Sequence, residues 1–140
     1  MGRPYRRIDT TADVGIESRG ATVEDAFSNM AKGLFSLICP LSRIRRRVHR
    51  TVEVHAPSQE DLLVAWLNEL IFIHETANML FRSFTFTAFE EEYLKATCLG
   101  EPIDPERHML RTEVKAATYH RLSLGRDESG QWCARVIIDV

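Results

Sequence analysis

The residues best placed to do chemistry lie at opposite ends of the chain. The last six, Arg135-Val136-Ile137-Ile138-Asp139-Val140, read as a buried β-branched strand that closes on an aspartate, with an α-carboxylate one residue later. Two neighbouring anionic groups repel each other unless a cation sits between them, and charge on an apolar strand is costly to bury unpaired. Taken alone, an aspartate at a strand end is an ordinary solvated terminus. A second acid, Asp13 in Thr10-Thr11-Ala12-Asp13-Val14-Gly15-Ile16, changes the balance. Aspartates in such turns commonly accept backbone N–H bonds. Hard cations, however, take several oxygen ligands, and Asp13, Asp139 and the Val140 carboxylate would supply them from both chain ends. Lys115, flanked by small residues in Val114-Lys115-Ala116-Ala117, could pair with phosphate or carboxylate as a point charge; strand parity equally allows it to be a solvent-facing lysine.

Positioning these groups requires a folded core, and 140 residues are enough for one domain spanning 1–140 that buries roughly two-thirds of its unfolded surface. A 44% hydrophobic and 27% charged composition is that of a globular protein, and a net charge of −2 gives no global attraction to nucleic acid or anionic membrane. Cys39, Cys98 and Cys133 are odd in number and lack a CxxC pair, so they read as buried thiols rather than disulfides or zinc ligands. No apolar signal core opens the chain and no segment reaches membrane-spanning length, so the expected compartment is the cytoplasm. Nucleophile-elbow, phosphate-loop, zinc-protease and dinucleotide motifs are absent, and no Ser or His has triad spacing.

Two helices are predicted. Thr22 opens the first, with Asp25 three residues on, and Val23, Ala26, Phe27, Met30, Ala31, Leu34, Phe35 and Ile38 form its apolar stripe until Pro40 ends it. Burying Phe27 and Leu34 alone would contribute roughly 3–6 kcal/mol. Ser58 caps the second, whose stripe runs Leu62, Leu63, Trp66, Leu67, Leu70, Ile71 and His74 before Asn78 stops it. Strands are expected at 5–9, 14–19, 44–56, 79–89, 93–99 and 132–140, with 100–108 a loop and 110–124 extended throughout. The 44–56 strand carries Arg45, Arg46, Arg47 and Arg50 without interleaved aromatics, which favours a charged edge strand over an RNA-tracking surface. The predicted class is α+β: a two-layer domain with two amphipathic helices packed on a mixed, largely antiparallel sheet.

Read in order, Thr11-Ala12-Asp13-Val14-Gly15-Ile16, Asp61-Leu62-Leu63, Trp66-Leu67-Asn68-Glu69-Leu70, Gly100-Glu101-Pro102, His108, Glu113 to His120 and Asp139-Val140 resemble the archease family over nearly the whole chain. The resemblance implies a cytoplasmic, non-enzymatic activator of the tRNA-splicing RNA ligase. Such a protein helps the ligase acquire its guanylate and turn over repeatedly, and meets RNA only through that partner, with no membrane involved. It implies a divalent-metal site, calcium in some members, at Asp13, Asp139 and Val140, and it matches Lys115 to a functional lysine. Lys115, His108 and His120 are the expected partner- or phosphate-contacting residues. Many members carry histidine where this chain has Thr10, which can exchange a hydrogen bond but cannot titrate near neutrality. The competing readings are a free-standing metal-dependent phosphotransferase or hydrolase using the same carboxylates, and a chaperone-like protein-binding module.

Overall fold

The computed structural model describes residues 3–9 and 13–140. β1 (Tyr5–Asp9) and β2 (Val14–Gly20) form an antiparallel pair with Arg7 opposite Ile16 and Asp9 opposite Val14. α1 (Val23–Ile38) starts as expected, with Thr22 Oγ1 accepting the Asp25 N–H at 3.1 Å. After a 3₁₀ turn at Leu41–Arg43 come β3 (Val48–His55) and α2 (Gln59–Ala77). Ser58 caps α2 through the Asp61 N–H at 3.1 Å, and Asn78 ends it in the left-handed region at φ 53°. His74 Nδ1 bonds the Met79 carbonyl at 2.8 Å, the carbonyl contact expected of a helix-end histidine. β4 (Met79–Phe89) and β5 (Tyr93–Pro102) form a hairpin across Glu90-Glu91-Glu92; then β6 (Ala116–Ala117), β7 (Ser123–Arg126) and β8 (Trp132–Asp139) complete the chain.

The α+β class holds, with one difference in layering. The strands form two sheets rather than one: β1-β2-β8-β6, with β7 also on β8, and β3-β5-β4. Every pairing among the described residues is antiparallel. The reason lies in α1. Its buried doublets Ala26-Phe27, Met30-Ala31, Leu34-Phe35 and Leu37-Ile38 span an apolar arc too wide for one sheet, and the helix packs on both β2 and β4. The core fills with aromatic contacts between these layers, among them Phe27–Phe89 at 4.9 Å and Trp66–Phe86 at 5.2 Å; the Trp66 indole N–H donates to the Phe27 carbonyl at 3.1 Å. Among the described residues no helix is long and apolar enough to cross a membrane.

Three boundaries differ from the sequence reading. β5 runs on through Gly100 to Pro102, because Gly100 lies against the bulged β4 backbone: a Cβ there would sit 1.8 Å from the Leu80 carbonyl oxygen. β3 begins at Val48, not Ile44, and is an edge strand of its sheet, so Arg45, Arg46 and Arg47 lie in its exposed lead-in. The segment 110–124 is largely irregular. Its amides find partners outside a ladder: Arg111 N–H donates to the Ile38 carbonyl at the end of α1, and the Ala117 N–H to Asn68 Oδ1, both at 2.8 Å.

The buried carboxylate of Glu101 fixes the other irregular stretch. It accepts from the Arg45 N–H at 2.7 Å, from Arg107 Nη2, and from His108 Nε2 at 2.9 Å. His108 Nδ1 accepts the Asp104 N–H at 2.8 Å, so Nε2 carries the ring proton and the imidazole is neutral. Burial pushes the Glu101 pKa up, but the hydrogen bonds from Arg107, Arg45 and His108 and the Arg107 charge outweigh it and hold the group at about 2 against an ordinary value of 4.5. A depressed carboxylate stabilises the fold fully above its unfolded pKa and loses that contribution as pH falls through the folded value. Acid unfolding between pH 4.5 and about 2 is therefore expected to draw on Glu101. Glu101→Ala should cost about 3–5 kcal/mol at neutral pH, the penalty for leaving a buried partner uncompensated, and should flatten that acid limb. Urea denaturation across this pH range checks both; an unchanged limb would assign the acid sensitivity elsewhere.

Candidate functional site

β8 is the strand that assembles the site. It pairs with β2 through Val14↔Ile138, Ile16↔Val136 and Glu17↔Arg135, and this register carried one step further sets Asp13 opposite Asp139. Directly opposed residues of an antiparallel pair share a face, with Cβ atoms about 4.5–5.5 Å apart. On the other side of β8, Ala116 lies opposite Asp139, and the Lys115 N–H donates to the Asp139 carbonyl at 2.8 Å. The register thus brings Asp13 and the backbone of Lys115 to the two sides of the Asp139 end of β8. Asp13 is half-buried; Asp139, Val140 and Lys115 are exposed. Ala116, between them, has too small a side chain to screen the aspartates from a partner.

The segment bearing Lys115 has no long strand partner, and Asn68 of α2 takes that place. Its side-chain amide accepts the Ala117 N–H at 2.8 Å and donates to the Ala117 carbonyl at 3.2 Å. A side-chain amide pairing with both groups of one residue imitates a neighbouring strand, each bond contributing about 1 kcal/mol. Thr118 continues the support, its N–H and Oγ1 both donating to the Ile137 carbonyl at 3.0 and 2.9 Å. Beyond it, Tyr119 Oη donates to Asp61 Oδ1 at 2.8 Å, tying the same segment to the N-terminal turn of α2. Hydrogen bonds from Ser58 and Tyr119 lower the Asp61 pKa. The signal for Asn68 was an amide directly after the apolar Trp66-Leu67 of the α2 stripe; nothing in the spacing says which backbone it meets.

The two histidines separate from this cluster. His108 is buried in the Glu101 network with both ring nitrogens engaged, next to the arginine lead-in rather than among the acids. His120 is exposed in the turn that follows β6, its N–H donating to Thr118 Oγ1 at 3.3 Å, beside Arg121 in the left-handed region at φ 51°. Thr10, with Thr11 and Ala12, lies outside the described residues. Cys39 and Cys98 are buried, and burial pushes the Cys98 thiol up to about 12; Cys133 is half-buried.

As a donor set, two aspartates and a terminal carboxylate are all hard oxygen ligands, the chemistry calcium and magnesium take. Among the described residues no group of three or more His, Cys, Asp or Glu side chains is placed to hold a metal ion.

The archease protein family model matches residues 5–140. A protein archease from Pyrococcus furiosus is 33% identical over 141 residues, covering 99% of both chains. One from Methanosarcina mazei is 35% identical over 144 residues, covering 100% of this chain and 98% of the relative. The solution structure of a Methanobacterium thermoautotrophicum protein superposes with a TM-score of 0.84 at 36% identity, covering 98% of this chain and 99% of the other. The fold is shared as well with a Thermotoga maritima archease described as a possible chaperone, at a TM-score of 0.65, 22% identity and coverage of 100% and 98%. With one order of motifs, one topology and near-complete coverage in each comparison, this chain belongs to the archease family.

Proposed function

We propose that this protein is a non-enzymatic activator of the tRNA-splicing RNA ligase in the cytoplasm, promoting guanylylation of the ligase and its repeated turnover in tRNA splicing or RNA repair. What supports the reading is that Val14, next to Asp13, and the backbone of Lys115 flank the Asp139 end of β8 on its two sides in an archease-family chain. Such an end is open on its solvent side, as a group presented to another protein's reaction centre must be. Asp13, Asp139 and Val140 would hold a hard divalent cation, calcium being the candidate. Bound there, the cation would neutralise negative charge on the phosphates of the partner's nucleotide. Lys115 adds a second positive charge beside it, and Asn68 keeps the lysine-bearing segment in place.

The decisive experiment is RNA ligation with and without this protein. Asp13→Ala and Asp139→Ala are each expected to lower stimulation about tenfold or more, the scale of a lost charge-assisted contact. The thermal midpoint of Asp139→Ala should hold or rise, because removing one of two neighbouring anionic groups relieves repulsion. Full stimulation by both variants would overturn the assignment, and turnover of a phosphorylated substrate without any ligase would favour the free-standing enzyme.

The Val140 carboxylate has its own test. In a chain ending at Val140, a C-terminal extension converts a charged ligand into a neutral amide, a poorer donor to a hard cation. Calorimetry should then find weaker calcium binding than in the same chain extended at its N-terminus. Equal affinities would leave the cation to Asp13 and Asp139.

The arginine lead-in is proposed to dock the partner rather than to take part in chemistry. Replacing Arg45, Arg46 and Arg47 by alanine should lower the apparent affinity for the ligase in a salt-dependent way, since exposed charges act mainly on encounter. The stimulated rate at saturation should recover. A collapse of that plateau would move these arginines into the working site.

A further inference from the structure

A cleft of about 450 Å³ opens between β1 and the C-terminal half of α1, away from the sheet end described above, and its walls carry Arg3, Arg6, Arg7 and Arg111. That volume lies within the range of small-molecule sites, about 300–1,000 Å³. No carboxylate stands among the described residues that line it. Arg7, opposite Ile16 and so on the α1 side of the sheet, is oriented by Asp9: its Nε donates to Asp9 Oδ1 at 2.8 Å. Arg6 reaches the cleft only at its base, because its guanidinium pairs with Glu17 on the opposite face of the sheet at 3.0 Å. A guanidinium has five N–H donors, so the bond to Asp9 orients Arg7 and leaves donors to spare. Arg3 and Arg111 make no ion pair among the described residues.

The remaining lining supplies what a phosphate ligand uses. Ser36 and Thr112 bring hydroxyl groups, and the half-buried Tyr5 brings an aromatic ring. Gly33 keeps the helix wall without a side chain where Ile16 and Tyr5 press in; a Cβ there would lie 2.7 Å from Ile16 Cγ2. Arg111 is anchored by its own backbone, through the N–H bond to Ile38, so its side chain is available without being needed for the fold. Like charges around one cleft repel one another, and an anion relieves that repulsion most strongly when it carries several charges on adjacent groups. Planar guanidinium groups match phosphate oxygens in pairs.

We propose that this cleft binds a polyphosphate chain, such as that of a nucleoside triphosphate, on Arg3, Arg7 and Arg111. The site is independent of the ligase reading, and its test needs no ligase. Isothermal titration calorimetry of the whole chain with inorganic tripolyphosphate, with ATP, and with an oligoribonucleotide of 5′-hydroxyl end separates the sources. One-to-one binding of tripolyphosphate and ATP is expected, weakened about tenfold or more in Arg111→Ala and in Arg7→Ala, since a hydrogen bond to a charged group is worth roughly that factor. Arg126→Ala, on the exposed end of β7, should bind as the parent does. ATP binding more tightly than tripolyphosphate assigns the nucleoside to the Tyr5 side of the cleft; equal affinity assigns the phosphates alone. Arg111→Gln, which keeps hydrogen-bonding capacity without charge, repeats the measurement should Arg7→Ala prove poorly folded. Absence of saturable binding at millimolar tripolyphosphate overturns the proposal. So does equal weakening in Arg126→Ala, or an oligoribonucleotide that binds more tightly than both small anions and displaces them.

Discussion

The antiparallel register of β8 against β2 is the constraint on which the rest of the molecule depends. Val14, Ile16, Val136 and Ile138 turn inward together, while Glu17 and Arg135 meet on the opposite face at 2.6 Å. A slip of one residue would turn Arg135 into the apolar layer and leave Glu17 with Arg6 as its one cation, a cost no gain elsewhere offsets. Each fully buried Val or Ile adds roughly 1.5–3 kcal/mol to the same choice. The position of Asp139 relative to Asp13 is thus decided by residues that take no part in any chemistry. The same strand decides where Lys115 goes, since β6 takes its place from Asp139 and Ile138 on the far side.

Where regular pairing stops, single polar side chains replace it. Asn68 stands in for a strand beside Ala117, and Glu101 gathers the Arg45 N–H, Arg107 and His108 into one buried network. These are opposite solutions to one problem. A neutral amide satisfies a neutral peptide group with little desolvation cost, whereas a buried carboxylate needs cations and several donors at once. Glu101 obtains them by drawing in residues that precede β3 and follow β5, which holds the arginine lead-in to the 103–108 loop. That loop keeps a defined shape although it has no ladder of its own.

The helices were legible because their signals are local. Thr22 and Ser58 cap where the hydroxyl could be read beside its acidic third residue, and Asn78 stops α2 as a left-handed residue must. The charged β3 edge followed from arginines without aromatics. What stayed hidden depends on pairs distant in sequence. Nothing near Gly100 tells that Leu80 passes against it, and nothing near Leu110 tells that its segment trades a ladder for Ile38 and Asn68. His108 was expected among the contact residues only through the family resemblance; its burial follows from Glu101, seven residues back on another element. Asp13 and Asp139 were suspected from their types alone, but their juxtaposition is a property of register, which only the folded strands supply.

A net charge of −2 conceals a strongly uneven surface. Asp13 and Asp139 share one sheet end, whereas Arg3, Arg7 and Arg111 surround a cleft and Arg45, Arg46 and Arg47 line a separate edge. Exposed charges act independently once they stand more than a Debye length apart, about 8 Å at physiological ionic strength. Summing them over the chain therefore discards the information that governs binding. Each region instead acts on what it can touch: the acids on a cation and whatever that cation bridges to, the arginines on anions. Asp9 links two of these regions, because it holds Arg7 at 2.8 Å and lies opposite Val14, the residue next to Asp13. A fold with no global pull toward nucleic acid or metal can still present both kinds of site, provided that its strands keep the two signs apart.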